Sequence, residues 1–352
     1  GRVETVIDAV EGAQITVSIK NSGVITSHKG INIPDSGLTI SALTEKDKQD
    51  AAFGVQAGVD MIAFSFVTQA ADVEELRAHI DSFDQQAERP IQIIAKIERA
   101  VALQNIDAIL GAADGLMVAR GDLGIETPPE TVPVSQKMLI EKALAAAKPV
   151  IVATQMLDSM QESPRPTRAE VSDVANAVID HADAVMLSNE TATGKYPVET
   201  VEQMEKIIAE TEASHYDDLS VSAASERFET THAATSESVS KMTRFLAEQV
   251  GAQCILASSL TGTTGRLLSH YRPEFPIYVA TDNERVVAQL NLSWGVFPFL
   301  VPSSSSVEDL ISSSTVHLQK HGLVEAGDTA IVVCGGSVGS PGDIASLEIV
   351  TL

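Results

Sequence analysis

Ile91-Gln92-Ile93-Ile94-Ala95-Lys96-Ile97-Glu98 is the stretch on which the fold turns. It is a short, almost continuous apolar run that ends in two charges, and such a run reads as a strand buried on both faces. Comparable runs stand at 60–66, 115–119, 149–154 and 183–187, each followed by a helical stretch. Continuous apolar strands alternating with helices predict a parallel sheet covered on both faces, either open or closed as a (β/α) barrel. In either architecture sites form at the carboxyl ends of the strands, where this sequence concentrates its polar residues.

On the amino-terminal side, residues 1–29 alternate apolar and polar around Glu11-Gly12, the pattern of a short antiparallel hairpin too small to fold alone. Thr44-Glu45-Lys46-Asp47 predicts a helix start, and Thr167-Arg168-Ala169-Glu170 has the spacing of a capping box. On the other side, a polar stretch rich in Ser, Thr and Glu at 212–238 is the expected inter-domain connection. Beyond it, strand-like runs at 252–257, 276–280, 296–301 and 329–334 predict a second α/β unit.

Composition narrows the function. The 352 residues are 44% apolar, enough for two ordinary domains. No apolar run approaches the roughly 18 residues of a membrane span. The chain opens on Gly1-Arg2-Val3 with no apolar export signal, so a cytoplasmic protein is expected. The two cysteines, Cys254 and Cys334, lie in apolar strand-like runs and read as reduced core thiols. A net charge of −24 argues against nucleic-acid and anionic-membrane partners, both of which need a cationic face. The eight histidines show no metal-ligand spacing, and His181 and His232 read as helix-surface residues.

Period-two geometry points Lys96 and Glu98 to the same face of their strand. By themselves they are equally an ion pair that makes burial tolerable. The next strand ends Arg120-Gly121-Asp122-Leu123-Gly124, adding a carboxylate, a guanidinium and two glycines to the same rim. A hard cation such as Mg2+ takes one or two carboxylates and fills its octahedron with water and substrate phosphate, a role that Glu98 and Asp122 fit. Glycines beside Asp122 would let backbone amides approach an anion. The strand 150–157 then delivers the hydroxyl of Thr154 to the rim.

With these residues in place, the sequence resembles the pyruvate kinases. The resemblance is carried by Ile-Ala-Lys-Ile-Glu at 94–98, Met-Val-Ala-Arg-Gly-Asp-Leu-Gly at 117–124, Ala-Thr-Gln-Met-Leu-Asp-Ser-Met at 153–160 and Pro-Arg-Pro-Thr-Arg-Ala-Glu at 164–170. Asp-Ala-Val-Met-Leu-Ser at 183–188, Gly-Lys-Tyr-Pro at 194–197 and Lys-Gly-Ile-Asn-Ile-Pro at 29–34 extend it. It implies a cytoplasmic, homotetrameric enzyme that moves a phosphoryl group from phosphoenolpyruvate to ADP on Mg2+ or Mn2+, with K+ as a second ion. It also implies a partial (β/α)8 TIM barrel at 30–215, the remnant of an inserted β lid domain at 1–29 and a C-terminal α/β regulatory domain at 216–352.

Carried over residue by residue, the resemblance implies that Lys96 neutralises charge on the transferring group and stabilises the enolate. Glu98 and Asp122 would hold the metal, and the Gly121 and Asp122 amides the substrate carboxylate. Thr154 would line the face where enolpyruvate is protonated, and Lys29 would reach the nucleotide phosphates. Two departures stand out: Ser188-Asn189-Glu190-Thr191 replaces a frequent Ser-Gly-Glu-Thr, and Val67-Thr68-Gln69 stands where basic residues are common, so that loop receives no ligand role.

In the second unit, Ser259, Thr261, Gly262, Thr263 and Thr264 lie between a strand and a helix, which fits an anion site and equally an ordinary capped turn. The resemblance favours a sugar-phosphate effector loop, with 335–340 as its second loop. Competing readings are a metal-dependent lyase of the phosphoenolpyruvate/pyruvate class, which would not need the appended unit, and an inactive fragment. A closed barrel needs eight strands and five are legible, so an N-terminal truncation is expected to leave the 352-residue chain inactive alone.

Overall fold

The computed structural model describes residues 3–25, 27, 30, 31, 33, 41–84, 90–218, 234–302, 306–335 and 344–352. Strands β1 (Thr5–Glu11) and β2 (Gln14–Ile19) form the expected hairpin, turning at Gly12 with φ of 61°. Val6, Ile7, Val10, Ile15, Val17 and Ile19 of this ribbon are exposed. Its stability therefore rests on pairing more than on burial.

Helix α1 (Glu45–Ala57) starts at a capping box, Thr44 with Asp47, and ends at Gly58 in the left-handed region, where glycine has no Cβ to clash. Five βα steps follow. They run β3 (Met61–Phe64), α2 (Ala70–Asp81), β4 (Gln92–Ile97), the short α3 (Ala100–Gln104) and α4 (Ile106–Ala112), β5 (Gly115–Ala119), and α5 (Arg120–Glu126) with α6 (Val132–Ala145). After them come β6 (Val150–Ala153), α7 (Arg168–Ile179), β7 (Ala184–Met186), α8 (Asn189–Ala192) and α9 (Pro197–Glu212). All five strands are parallel and lie in sequence order, β3-β4-β5-β6-β7. This is the predicted sheet, and among the described residues β3 and β7 are its two edges.

The central strands β4, β5 and β6 bury both faces, as predicted, whereas the edge strands β3 and β7 are part-exposed. Ile91, Ile93 and Ile97 pack with Val73, Leu76 and Ile80 of α2, Ile106 and Ile109 of α4, and Leu139 and Ile140 of α6 in one core. Burying each such side chain contributes about 1.5–3 kcal/mol. Ile94, Met117 and Ala153 face the other way and form a smaller cluster with Leu292 from the second unit.

That second unit starts at α10 (Ala234–Val250), so the predicted connection at 212–238 is helical at its far end. It continues through β8 (Cys254–Ser258), α11 (Thr263–His270), β9 (Ile277–Thr281), α12 (Glu284–Leu290), β10 (Val296–Leu300), α13 (Val307–Lys320), β11 (Thr329–Gly335) and β12 (Ile344–Thr351). Its sheet order is β10-β9-β8-β11-β12, parallel except for β12, an antiparallel strand that the sequence reading did not identify. Cys254 and Cys334 are free and buried, as expected.

The second unit docks against the amino ends of the first sheet. Gln289 of α12 donates to the carbonyls of Asp60 (3.1 Å) and Pro90 (2.9 Å), just before β3 and β4. Arg285 pairs with Asp84 at 2.7 Å. Before β7, Asp183 pairs with Arg272 at 3.1 Å and accepts the Trp294 amide at 3.1 Å. The opposite, carboxyl pole is left for a site. His181 is not on a helix surface: it follows α7 with φ of 67° and lies half-buried, 3.5 Å from Asp217. The geometry that ends α7 turns its ring inward. His232 lies outside the described residues.

Candidate active site at the carboxyl ends of the strands

Glu98, the first residue after β4, is 2% exposed. A carboxylate at that depth needs a hydrogen-bonding partner for each oxygen. One oxygen, Oε1, lies 2.7 Å from Lys96 Nζ, and the other, Oε2, accepts the Phe66 amide at 2.7 Å. Lys96 also donates to Ser65 Oγ at 2.7 Å. The shared strand face thus becomes a direct contact, and the end of the neighbouring strand supplies both outer partners. The sequence reading placed Ser65 and Phe66 in the strand-like run 60–66 and gave neither a role in the site, whereas the strand ends at Phe64. Phe66 adopts φ of 60°, a region that costs a bulky residue free energy.

The pairing of β4 with β5 aligns Ile97 with Val118, which brings Glu98 beside Ala119 at the end of β5. There the chain turns straight into α5, whose first turn contains Gly121 and half-buried Asp122. Gly121 is constrained by space: a Cβ there would meet Thr154 Oγ1 at 3.3 Å. Its amide donates to that hydroxyl at 2.7 Å, and the hydroxyl in turn donates to the Ala153 carbonyl at 2.6 Å. The Gly121 amide, read from sequence as a substrate donor, is therefore engaged by Thr154 here, and a ligand carboxylate must take it from that hydroxyl.

Thr154 itself has φ of 72°, followed by Gln155 at 56°. For a β-branched residue this conformation is strained, and Arg120 holds it. The guanidinium donates to the Thr154 carbonyl at 2.9 Å and to Asp173 at 2.7 Å. From sequence Arg120 was only a cation on the rim. Glu190, from the departing Ser-Asn-Glu-Thr segment, is buried and accepts the amides of Leu157 (3.3 Å) and Ser188 (2.8 Å), tying the ends of β6 and β7 together. Thr68 and Gln69 are occupied with Asp72 at the start of α2.

Among the described residues no group of three or more His, Cys, Asp or Glu side chains converges. Two carboxylates, Glu98 and Asp122, stand at neighbouring strand ends beside Lys96. Oxygen donors in that number fit a hard divalent cation that keeps water and takes substrate oxygens, not a closed structural metal site. Lys29 lies outside the described residues.

The candidate effector residues sit in the other unit, past β8. The Ser259 amide bonds the Ala280 carbonyl at 3.0 Å, Gly262 has φ of 82°, and the Thr261 and Thr263 hydroxyls are 3.0 Å apart. Thr264 is buried in the first turn of α11, and Arg266 Nη2 donates to the Thr261 carbonyl at 3.2 Å. The loop is ordered by its own chain. Residues 336–340 lie outside the described residues. No helix of the described residues is long and apolar enough to cross a membrane.

The family described as pyruvate kinase, barrel domain, matches residues 1–201, and pyruvate kinase, alpha/beta domain, matches residues 237–350. Pyruvate kinase of Sporosarcina psychrophila is 44% identical over 342 residues, 97% of this chain and 57% of its own length. Pyruvate kinase of Clostridium acetobutylicum is 41% identical over 350 residues, 99% of this chain and 72% of its own. Pyruvate kinase of Geobacillus stearothermophilus is 41% identical over 353 residues, again 99% of this chain and 59% of its own. The chain thus spans 57–72% of the length of these relatives.

Proposed function

The chain belongs to the pyruvate kinase family, and from that premise we propose that its strand-end site serves phosphoryl transfer from phosphoenolpyruvate to ADP, giving pyruvate and ATP. The observation that carries the proposal is the 2.7 Å contact of Lys96 with buried Glu98, beside Asp122 on the neighbouring strand end. Phosphoryl transfer asks a protein for positioning and charge neutralisation more than for covalent chemistry.

In this reading Lys96 places its ammonium against the transferring phosphoryl group and then against the enolate oxygen. Glu98 and Asp122 would hold Mg2+ or Mn2+, which would supply neutralisation of negative charge on the substrate. The amides of Gly121 and Asp122 would donate to the substrate carboxylate, the Gly121 amide once Thr154 gives it up. Thr154, once released from Gly121, lines the face on which the enol is protonated. Lys29 completes the reading at the nucleotide phosphates. K+ as second ion, a homotetramer, a cytoplasmic setting, and a sugar phosphate at Ser259, Thr261, Gly262, Thr263 and Thr264 belong to the same proposal, as does the division at 1–29, 30–215 and 216–352.

A lyase of the phosphoenolpyruvate/pyruvate class would use the same carboxylates. The second α/β unit, matched to the family's own alpha/beta domain, favours the kinase. The test is Lys96→Met in the whole protein that carries this chain. Turnover in a pyruvate-coupled assay should fall at least about a hundredfold, while phosphoenolpyruvate still binds with Mn2+, because the lysine acts mainly in the transition state. Substrate affinity lost as completely as turnover would contradict the assignment. Pyruvate released by carbon–carbon cleavage of a larger 2-oxo acid, with neither phosphoenolpyruvate nor ADP present, would favour the lyase.

A further inference from the structure

We propose that Ser65 is a positioning residue for Lys96, an inference that rests on the phosphoryl-transfer reading above. An ammonium has three N–H donors and no acceptor. One donor of Lys96 goes to Ser65 Oγ at 2.7 Å, and a second faces Glu98 Oε1 at 2.7 Å. One remains for a reacting group. The other oxygen of Glu98, Oε2, accepts the Phe66 amide. A cation that Glu98 takes on Oε1 would share the oxygen that Lys96 uses, and the repulsion between that cation and the ammonium would loosen the pair. Ser65 is then the contact that keeps Lys96 on the rim.

The backbone supports the same conclusion. Phe66 occupies φ of 60° and the residue is 50% exposed, so its packing does not account for the strain. What the turn achieves is to aim the Ser65 hydroxyl and the Phe66 amide together at the two members of the Lys96–Glu98 pair on the adjacent strand. Strain that persists with this outcome points to a function of the turn.

The test compares Ser65→Ala and Ser65→Thr with the unsubstituted protein in four readouts: kcat, KM for phosphoenolpyruvate, Mn2+ affinity and melting temperature. Ser65→Ala should lower kcat about ten- to a hundredfold, the effect of losing one hydrogen bond to a charged group. KM and Mn2+ affinity should stay within about twofold, melting should move by less than about 2 °C, and Ser65→Thr should restore most of kcat. A kcat unchanged in Ser65→Ala, or lowered only in step with lost stability, would overturn the proposal. Crystal structures of both variants form a second arm that needs no turnover. Lys96 Nζ should leave its place in Ser65→Ala and keep it in Ser65→Thr, and an unmoved Nζ in Ser65→Ala overturns the proposal. If the unsubstituted protein transfers no phosphoryl group, the phosphoryl-transfer reading fails on its own and the structural arm still decides whether Ser65 places Lys96.

Discussion

A buried thiol reports its surroundings through its proton. Burial pushes the Cys254 thiol up to about 12, with Asp328 adding to the rise, and burial with Glu348 pushes Cys334 up to about 11. Both should resist an aromatic disulfide reagent at pH 8 and react together only when the protein unfolds. Rapid labelling of either in the native protein would contradict the burial. The sign of the linkage follows: below about 8.5 the folded and unfolded thiols are both protonated, and above it the unfolded chain ionises first. Stability therefore falls as pH rises toward the folded values, and urea midpoints at pH 7.5 and 10 should show the decrease. Asp122 gives a second prediction at this scale. Asp122→Asn removes one of two rim carboxylates and should weaken Mn2+ binding about tenfold or more, and an unchanged titration would remove it from the ligand set. Lys96, Glu98, Asp122 and Thr154 were legible because strand geometry puts residues two apart on one face and puts chemistry at strand ends. Ser65, Phe66 and the grip of Arg120 on Thr154 were not. Each depends on the register of a neighbouring strand or on a left-handed φ, and a single sequence carries no signal for either.

Among the elements, α7 shows how a local rule becomes a tertiary one. Thr167 and Glu170 cap each other as their spacing predicts, and Glu170 also accepts the amide (2.7 Å) and hydroxyl (2.6 Å) of Ser159, fastening the loop after β6 to the helix start. Burial alone would raise the Glu170 pKa, but the hydrogen bonds from Ser159 and Thr167 outweigh it and the net shift is downward. A depressed carboxylate contributes stability that is present above the unfolded value near 4.3 and is lost as pH falls through the folded value. Glu170→Gln should therefore cost about 1–2 kcal/mol at pH 7 and less at pH 3.5, and Thr167→Ala about 1 kcal/mol. Equal losses for Glu170→Gln at both pH values in urea melts would show that its charge is not involved. The capping box was legible because its four residues are contiguous. Strand β12 was not, because it pairs antiparallel at an edge and leaves Ile349 exposed, so its alternation is blurred. The apolar runs that became β4, β5, β6, β8, β9 and β11 are central strands with much stronger patterns.

For the molecule as a whole, the consequential contact is the one that seals the amino pole of the five-stranded sheet, since the site at the other pole inherits the positions of the same strands. Arg285 and Asp84 meet at 2.7 Å with their side chains 10% and 4% exposed, near the two hydrogen bonds of Gln289 to the backbone ahead of β3 and β4. An ion pair so well shielded is poor evidence of net stabilisation, because desolvating both charges costs about as much as their attraction returns. Breaking it is different, because one charge is then left without its main partner. Asp84→Ala and Arg285→Ala should each destabilise the protein by about 3–5 kcal/mol, whereas the apolar pair Asp84→Leu with Arg285→Met should recover most of that loss. Since the pair joins two units with largely separate cores, each single substitution should also split one thermal transition into two, the first marking separation of the second unit from the sheet. A double-mutant cycle measured by urea unfolding checks the argument. Single losses that add within about 0.5 kcal/mol, with one transition kept throughout, would mean that the two residues do not act as a pair. The seal would then belong to Gln289 and to the contact of Arg272 with Asp183 instead.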